Sequence, residues 1–511
     1  MINNKKVLTN NKIGCIIIAK KERMVMVMKI AVIGSFLIAI LHSILFYGQN
    51  LGLSVLLFSI AIGVFIIYIL YKNNKIKNTK ALKLIIPILL ISVTYLIFNN
   101  KFLGIFNIII LIILFSLMIV MLLFEKTNIQ LILKKILYLI LGSIEFVEES
   151  FSSIIEQIKN LFKMKKSNKK SKIILKKIIL GIVISIPLIV IILILLSSAD
   201  QIFSNQLQEL FRKIFNLNIF TLDSITNLIF RIIIIILISI YLIALIYNII
   251  EDDFCENDIN EIKIKKVDKI IGNTILIILN IIYLIFCYIQ ISVLFMNVSN
   301  IDNFDYANYA RQGFFQLMAV SIINLIIILI TSRKNNSKLD LTKILNIILA
   351  LFTIIILISS FYRMYLYEQE YGYTFLRLIV YFALATEAIL IIPTILYILG
   401  MKINLPKIYF VVIIIMYIII NYINIDNVIA KKNIDKYLEN NNKNYEIDIQ
   451  YLQTLSIDAI PQLERLLNIN DDNIKQSIEI YFKNQKNNLQ DINICNFNIN
   501  RIIAKNILNK Y

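Results

Sequence analysis

The chain has 511 residues, 59% of them hydrophobic and 17% charged, with a formal net charge of +19. Soluble globular chains sit near 45–50% apolar and about 25% charged, so this composition excludes a soluble enzyme, a disordered chain and a secreted disulfide scaffold. It leaves an all-α, polytopic membrane protein.

A helix crossing the hydrocarbon needs about 20 mostly apolar residues, and it must be a helix because lipid offers no partner to open backbone groups. Eleven such runs occur in chain order: 29–47, 51–71, 82–98, 102–124, 173–196, 226–249, 270–295, 313–331, 341–362, 376–399 and 408–423. The third contains Pro87, and Pro187 and Pro393 also fall inside runs, where neighbouring helices can compensate a kink.

The basic arm 1–28 precedes the first run with Lys20, Lys21 and Arg23 but no small-residue cleavage site, so that run reads as an uncleaved start-transfer helix. With this arm inside, 34 of the 52 Lys and Arg lie in inner segments and 7 in outer ones. That is the positive-inside distribution. It places the amino end in the cytoplasm, the bundle 29–424 in the plasma membrane and the tail 425–511 outside. It also removes the nucleic-acid reading that a basic soluble domain would invite. Part of the Lys and Asn excess reflects a chain rich in Ile, Asn and Lys, the pattern of AT-rich codons.

Three segments do not span. Residues 129–162 mix apolar runs with Lys134, Lys135, Glu145, Glu148 and Glu149, and read as an amphipathic helix on the inner surface. A twelfth span over 129–146 would break the loop-charge parity that follows. Residues 200–222 place Phe203, Leu207, Leu210, Phe211, Ile214 and Phe215 at helical spacing behind Asp200; this is an outer interfacial helix or a lid. The tail carries 11 basic and 11 acidic residues and reads as short helices at 449–455, 458–467, 472–486 and 499–510, with Asp471 and Asp472 placed to open the third.

The block Tyr362-Arg363-Met364-Tyr365-Leu366-Tyr367 with Tyr371-Gly372-Tyr373-Thr374-Phe375-Leu376-Arg377 is distinctive. So are Tyr451-Leu452-Gln453-Thr454-Leu455-Ser456-Ile457-Asp458-Ala459-Ile460-Pro461 and the early hairpin Leu45-Phe46-Tyr47-Gly48. Across about 30–467 the chain resembles a bacterial multi-pass family, domain of unknown function 4173, and the related domain of unknown function 4153 shares the layout. The resemblance implies a polytopic plasma-membrane protein and carries over no catalytic residue.

Charge inside a bilayer is costly, so an intramembrane ionisable group needs a reason. Glu387 lies near the middle of the tenth run among small residues that let another helix approach. It is either a proton or cation site, a carboxyl bonded to a neighbouring helix through Asn280, Asn324 or Asn346, or a partner of Arg231. Arg231, near the outer end of the sixth run, can also simply snorkel. His42 is the single histidine, suited to packing or to titration near neutral pH. The segment 363–377 reads as an outer loop in which Arg363, Glu368, Glu370 and Arg377 form an ion-pair network ringed by interface tyrosines, or in which the arginines recognise an anionic headgroup.

The acidic run Glu251, Asp252, Asp253, Glu256, Asp258 and Glu261 lacks the glycine turn and ligand spacing of a calcium loop. The cysteines Cys15, Cys255, Cys287 and Cys495 show no CxxC spacing, so neither a zinc site nor a disulfide framework is expected. There is no phosphate loop, HExxH or GxSxG; no cofactor, metal or enzyme activity is expected. The readings are then an envelope structural or regulatory protein whose tail meets a protein partner, a secondary transporter or flippase using Glu387, and, more weakly, a membrane enzyme on lipid-linked substrates.

Overall fold

The computed structural model describes residues 26–124, 129–144, 146–147, 222–250, 269–295, 314–332, 340–439, 447–489 and 492–511. The expected span 173–196, nearly all of the outer helix 200–222, most of the arm 1–28, the acidic run after residue 250 and the remainder of 129–162 lie outside them. Among the described residues there is no strand, and ten helices are long and apolar enough to cross a membrane. These are the other ten expected spans.

In chain order the helices are α1 (Met26–Phe46), α2 (Leu53–Lys72), α3 (Ile85–Ile97, entered through a 3-10 turn Thr79–Leu84), α4 (Lys101–Leu123), α5 (Ile129–Leu141), α6 (Leu222–Ile250), α7 (Lys269–Phe295), α8 (Phe314–Thr331), α9 (Leu341–Tyr371), α10 (Phe375–Ile398) and α11 (Leu405–Tyr422). The tail contributes α12 (Ile425–Glu439), α13 (Ile449–Thr454), α14 (Ile460–Leu463), α15 (Asp472–Asn488) and α16 (Ile499–Leu508). The spanning helices keep large apolar side chains on their outer faces, such as Ile33, Leu37 and Ile44 on α1 and Ile271, Ile278 and Ile285 on α7. A water-soluble surface does not carry apolar area on this scale, whereas a lipid-facing one does.

The chain divides into two compact units. The first holds residues 1–96, 107–260 and 492–497. Its core is built by Val27, Ala31 and Val32 of α1, Ile69 of α2 and Ile243, Ile246 and Ile250 of α6. At one end the hairpin 47–52 meets the start of α6, where Tyr47 Oη donates to Asn227. At the other end Lys77 N and Asn78 N donate to Leu122 O, capping α4, and Asn248 near the end of α6 donates to Tyr138 O and Ser143 Oγ. The chain therefore leaves α4 at one end of this unit and enters α6 at the other.

The second unit holds residues 97–106, 261–491 and 498–511. In it α9 is the central helix, packed on α7, α8 and α10, while α10 also packs on α11 and α12. Met364, Val380, Leu384, Leu390 and Leu357 make one part of the core and Leu276, Ile328, Leu349 and Ile398 another. The tail has its own core of Ala430, Ile434, Leu452, Ile460, Leu463, Leu466, Ile478, Phe482 and Ala504.

The segment 363–377 differs from expectation. It is helical except for Gly372-Tyr373-Thr374, because α9 continues nine residues past 362. Arg363, Met364 and Glu368 are buried there, so burial against neighbouring elements holds as helix a stretch whose charge reads as loop. Gly372, at φ 72, ends α9 in the left-handed region that glycine enters without strain. In the tail three expected helices appear at nearly the expected bounds, the expected 458–467 is the short α14 flanked by the 3-10 turns Ile457–Ala459 and Glu464–Asn468, and Asp471 accepts from Asn473 N and Ile474 N at the start of α15. The helix α12 is additional to those expected.

Candidate functional site

Two polar clusters stand out in the second unit. The first lies inside the bundle. Polar residues recur every seven positions on each helix: Asn273 and Asn280 on α7, Asn324 and Thr331 on α8, Asn346, Thr353 and Ser360 on α9, and Glu387 and Thr394 on α10. Seven residues are two helical turns, about 10 Å, so each set lies on one inward stripe. The stripes meet in rungs. Thr342 donates to Asn273 (2.7 Å), Thr331 to Asn346 (2.8 Å), Asn324 to Thr353 (3.1 Å) and Tyr283 to Asn324 (2.8 Å). Interhelical bonds of this kind are each worth about 0.6 kcal/mol, and up to about 1.7.

Glu387 is the ionisable member of this ladder and is 5% exposed. Its Oε2 accepts from the Ser321 hydroxyl of α8, and its Oε1 has no hydrogen-bond partner. The bonded neighbour is thus Ser321, one turn from Asn324, while Asn280 bonds Leu345 O and Asn346 bonds Thr331. Arg231, in the first unit, bonds Ser43 and lies over the Tyr47 ring at 5.6 Å. His42 packs between Phe46 and Phe58, at 4.9 and 5.4 Å, with a buried Nδ1 that has no partner.

The second cluster joins the tail to the turn before α4. Asp458 accepts from Asn99 N at 2.8 Å, and Asn498 donates to Phe98 O at 3.0 Å. Arg501 Nη2 donates to Asn99 Oδ1 at 3.0 Å. Asp426 accepts from Asn100 Nδ2 at 2.9 Å and from Ser456 N at 3.1 Å. All four charged or turn-forming tail residues are buried or half-buried. Burial pushes the Asp458 carboxyl up to about 6 against the pull of the Asn99 and Asn500 bonds, with Asp426 adding to the rise. Burial likewise raises Asp426 and lowers Arg501, the latter opposed by the Asp458 charge. Sequence reasoning named none of these as a site. The signal was the Ser456-Ile457-Asp458 piece of the tail block, which sits at this joint.

At the same end Arg377 closes the α9–α10 turn. Its guanidinium lies 4.2 Å from the Tyr367 ring and 5.8 Å from Tyr371, and Nη1 donates to Tyr371 O (2.9 Å) and to Gly372 O. It thus neutralises carbonyls left open at the end of α9. Glu368 accepts from Tyr381 at 2.8 Å, Glu370 is exposed, and Lys436 of α12 donates to Gln369 O. Burial lowers the Lys436 ammonium, and Glu368 and Glu370 oppose that. Burial and the Glu368 bond raise the Tyr373 phenol. Asn433 holds Tyr373 at both ends of its peptide, each bond 2.8 Å. Of the four residues expected as an ion-pair network, Arg363, Glu368 and Glu370 lie on the last turns of α9 and Arg377 on the first turn of α10. Among the described residues no group of three or more His, Cys, Asp or Glu could hold a metal, and Cys287 and Cys495 are free thiols.

Ten apolar helices, a polar interior ladder and a folded helical tail define a polytopic α-helical membrane protein. More particularly, the chain belongs to the family described as Domain of unknown function (DUF4153), whose model matches residues 85–466. The match runs from α3 through the Asp458 joint and starts after the hairpin at residue 48. It is to the family that the sequence reading gave as the relative of its first resemblance. No curated protein and no solved structure matches the chain.

Proposed function

We propose that this is a plasma-membrane protein of structural or regulatory role in the cell envelope, whose helical bundle presents the tail to a protein partner outside the cell. The attachment of the tail carries this reading. The tail has a core of its own, and it is fixed to the turn before α4 through buried Asp426 and Asp458. Breaking a buried charged contact costs several-fold more than breaking an exposed one, so the joint favours one fixed presentation. The reading assigns no catalytic activity.

A membrane-impermeant maleimide applied to intact cells should label a cysteine placed at Tyr511, 56% exposed, in a Cys495→Ser background. Labelling only after lysis would put the tail inside and end the proposal. A photoreactive residue at the exposed Ile480 should then crosslink one protein partner in those cells, and absence of any crosslink would count against the presentation role.

One observation favours a second reading, a secondary transporter or flippase: the unpartnered oxygen of Glu387 in mid-bundle. Proton flux in vesicles should then fall in Glu387→Gln, and equal flux would remove this reading.

A further inference from the structure

We propose that Glu387 is a reversible proton-binding site in which the Ser321 hydroxyl changes partner as the proton arrives and leaves. The proposal uses the residue of the transport reading but does not require transport.

The geometry supplies both protonation states. Ser321 Oγ faces Glu387 Oε2 and also lies 2.7 Å from Met318 O of its own helix. A hydroxyl has one proton and two acceptor positions. With Glu387 as carboxylate, the Ser321 proton points to Oε2. When a proton binds Oε2, that O–H donates to Ser321 Oγ, and the serine proton turns to Met318 O. One O–H bond forms on the carboxyl, none breaks in the serine, and one torsion rotates. No backbone movement is needed, and no donor is stranded in either state.

The surroundings point to a proton rather than a metal. Hard cations take about six or more oxygen ligands, whereas this group offers Glu387 and Ser321. The charged groups on the packed helices lie towards the ends. Lys343 reaches Leu399 O and Lys407 opens α11 at one end, while Arg363, Glu368 and Arg377 lie at the other; α8 carries none, and the charges of α12 begin beyond α11. Tyr409 bonds Thr394, two turns along α10 from Glu387. The Oε1 atom is buried and has no hydrogen-bond partner, so the proton is held on the Oε2 side, facing Ser321.

Dicyclohexylcarbodiimide tests this on the full-length protein in membrane vesicles. It reacts with a protonated carboxyl in apolar surroundings: the carboxyl oxygen adds to the carbodiimide carbon, the proton goes to nitrogen, and rearrangement leaves a stable N-acylurea that mass spectrometry locates. The expected result is label on Glu387 at acid pH that is lost as pH rises. Ser321→Ala should move the midpoint of that loss by about one pH unit, the scale of one hydrogen bond to a charged group, and Ser321→Thr should restore it. No label at any pH, label independent of pH, or a midpoint indifferent to Ser321 would overturn the proposal. Protection by sodium at constant pH would overturn it in favour of a metal cation. Labelling as expected with equal vesicle flux in wild type and Glu387→Gln would keep the proton site and end only the transport reading.

Discussion

Asn99 and Asp458, 359 residues apart in sequence, are joined by a 2.8 Å bond from the Asn99 amide to the Asp458 carboxylate. The amide sits in the turn between α3 and α4, where a free N–H at a helix start needs an acceptor. The carboxylate sits in the 3-10 turn Ile457–Ala459 that leads into α14. The Asp458 carboxylate thus supplies the acceptor that the Asn99 amide needs and ties the tail to the turn before α4.

This joint carries a pH dependence. The Asp458 carboxyl is raised to about 6 from an ordinary value of 3.8. In that interval the folded tail binds more protons than the unfolded one, so stability falls as pH rises. The contribution is full below about pH 4, is lost through about pH 6, and amounts to something on the order of 2–3 kcal/mol. Amide hydrogen exchange across 449–508 should therefore be faster at neutral pH than at pH near 5 after correction for the intrinsic rate. Asp458→Asn should flatten that difference. A wild-type tail whose protection is constant across the interval would contradict the assignment.

Gly52 shows the same principle at the other hairpin. Helix α2 has no side-chain cap. Its first amides, Leu53 N and Ser54 N, donate instead to Phe497 O (3.0 Å) and Cys495 O (3.1 Å). The Gly52 backbone is extended, at φ −171, so glycine is required there by space and not by conformation. A Cβ would stand 2.6 Å from Phe497 O and 2.7 Å from Asn496 C. These are backbone atoms that cannot swing aside. Gly52→Ala should destabilise the docking of 492–497 by about 1–3 kcal/mol, read as protease cleavage in that segment at concentrations that leave wild type intact. By contrast Gly48, at φ 68 with open space around its missing Cβ, should accept Asn with little loss, since Asn tolerates the left-handed region.

Arg377 is the third test. Lysine keeps the charge but gives up the contact of the guanidinium with the Tyr367 and Tyr371 rings and the Nη1 position from which both carbonyls are reached. Arg377→Lys should lower the thermal midpoint of the detergent-solubilised protein, with a loss of about 1–2 kcal/mol. If the arginine instead served to bind an anionic headgroup, lysine would leave stability unchanged and alter lipid binding.

The spans were legible because twenty apolar residues in a row admit one solution in lipid, and the cap at Asp471 because it depends on atoms two and three residues away. The end of α9 was not legible. Arg363, Glu368 and Glu370 mark a water-exposed loop by composition, yet two of the three are buried, against partners that the local sequence does not name. The neighbourhood of Glu387 was half legible: Asn324 marks the right face of α8, but Ser321, one turn earlier on that face, makes the bond. Serine is common in membrane helices and raises no alarm alone. The seven-residue recurrence of polar residues on four helices was the available signal. The joint of Asn99 with Asp458 has no local signature, because its partners meet only when the tail folds back.

The placement of α5 gives the last prediction. Its 13 residues span about 20 Å, short of the roughly 30 Å of hydrocarbon. Asn248 bonds Tyr138 O and Ser143 Oγ, each at 3.2 Å, and so holds α5 at the end of α6. Leu139 is fully buried, and Lys135 is 5% exposed with its ammonium 5.7 Å from the Phe124 ring centre. Leu133, Leu137 and Leu141 form an exposed stripe at successive turns, with 59%, 59% and 61% exposure. An apolar stripe on a short helix held at the end of a bundle is the form of an in-plane interfacial helix. A nitroxide at Leu137 should report a depth of about 5–10 Å below the headgroups in power-saturation measurements, with one at Leu133 at nearly the same depth. A steady change in depth from 133 to 141, reaching the bilayer centre, would mean instead that this segment crosses the membrane.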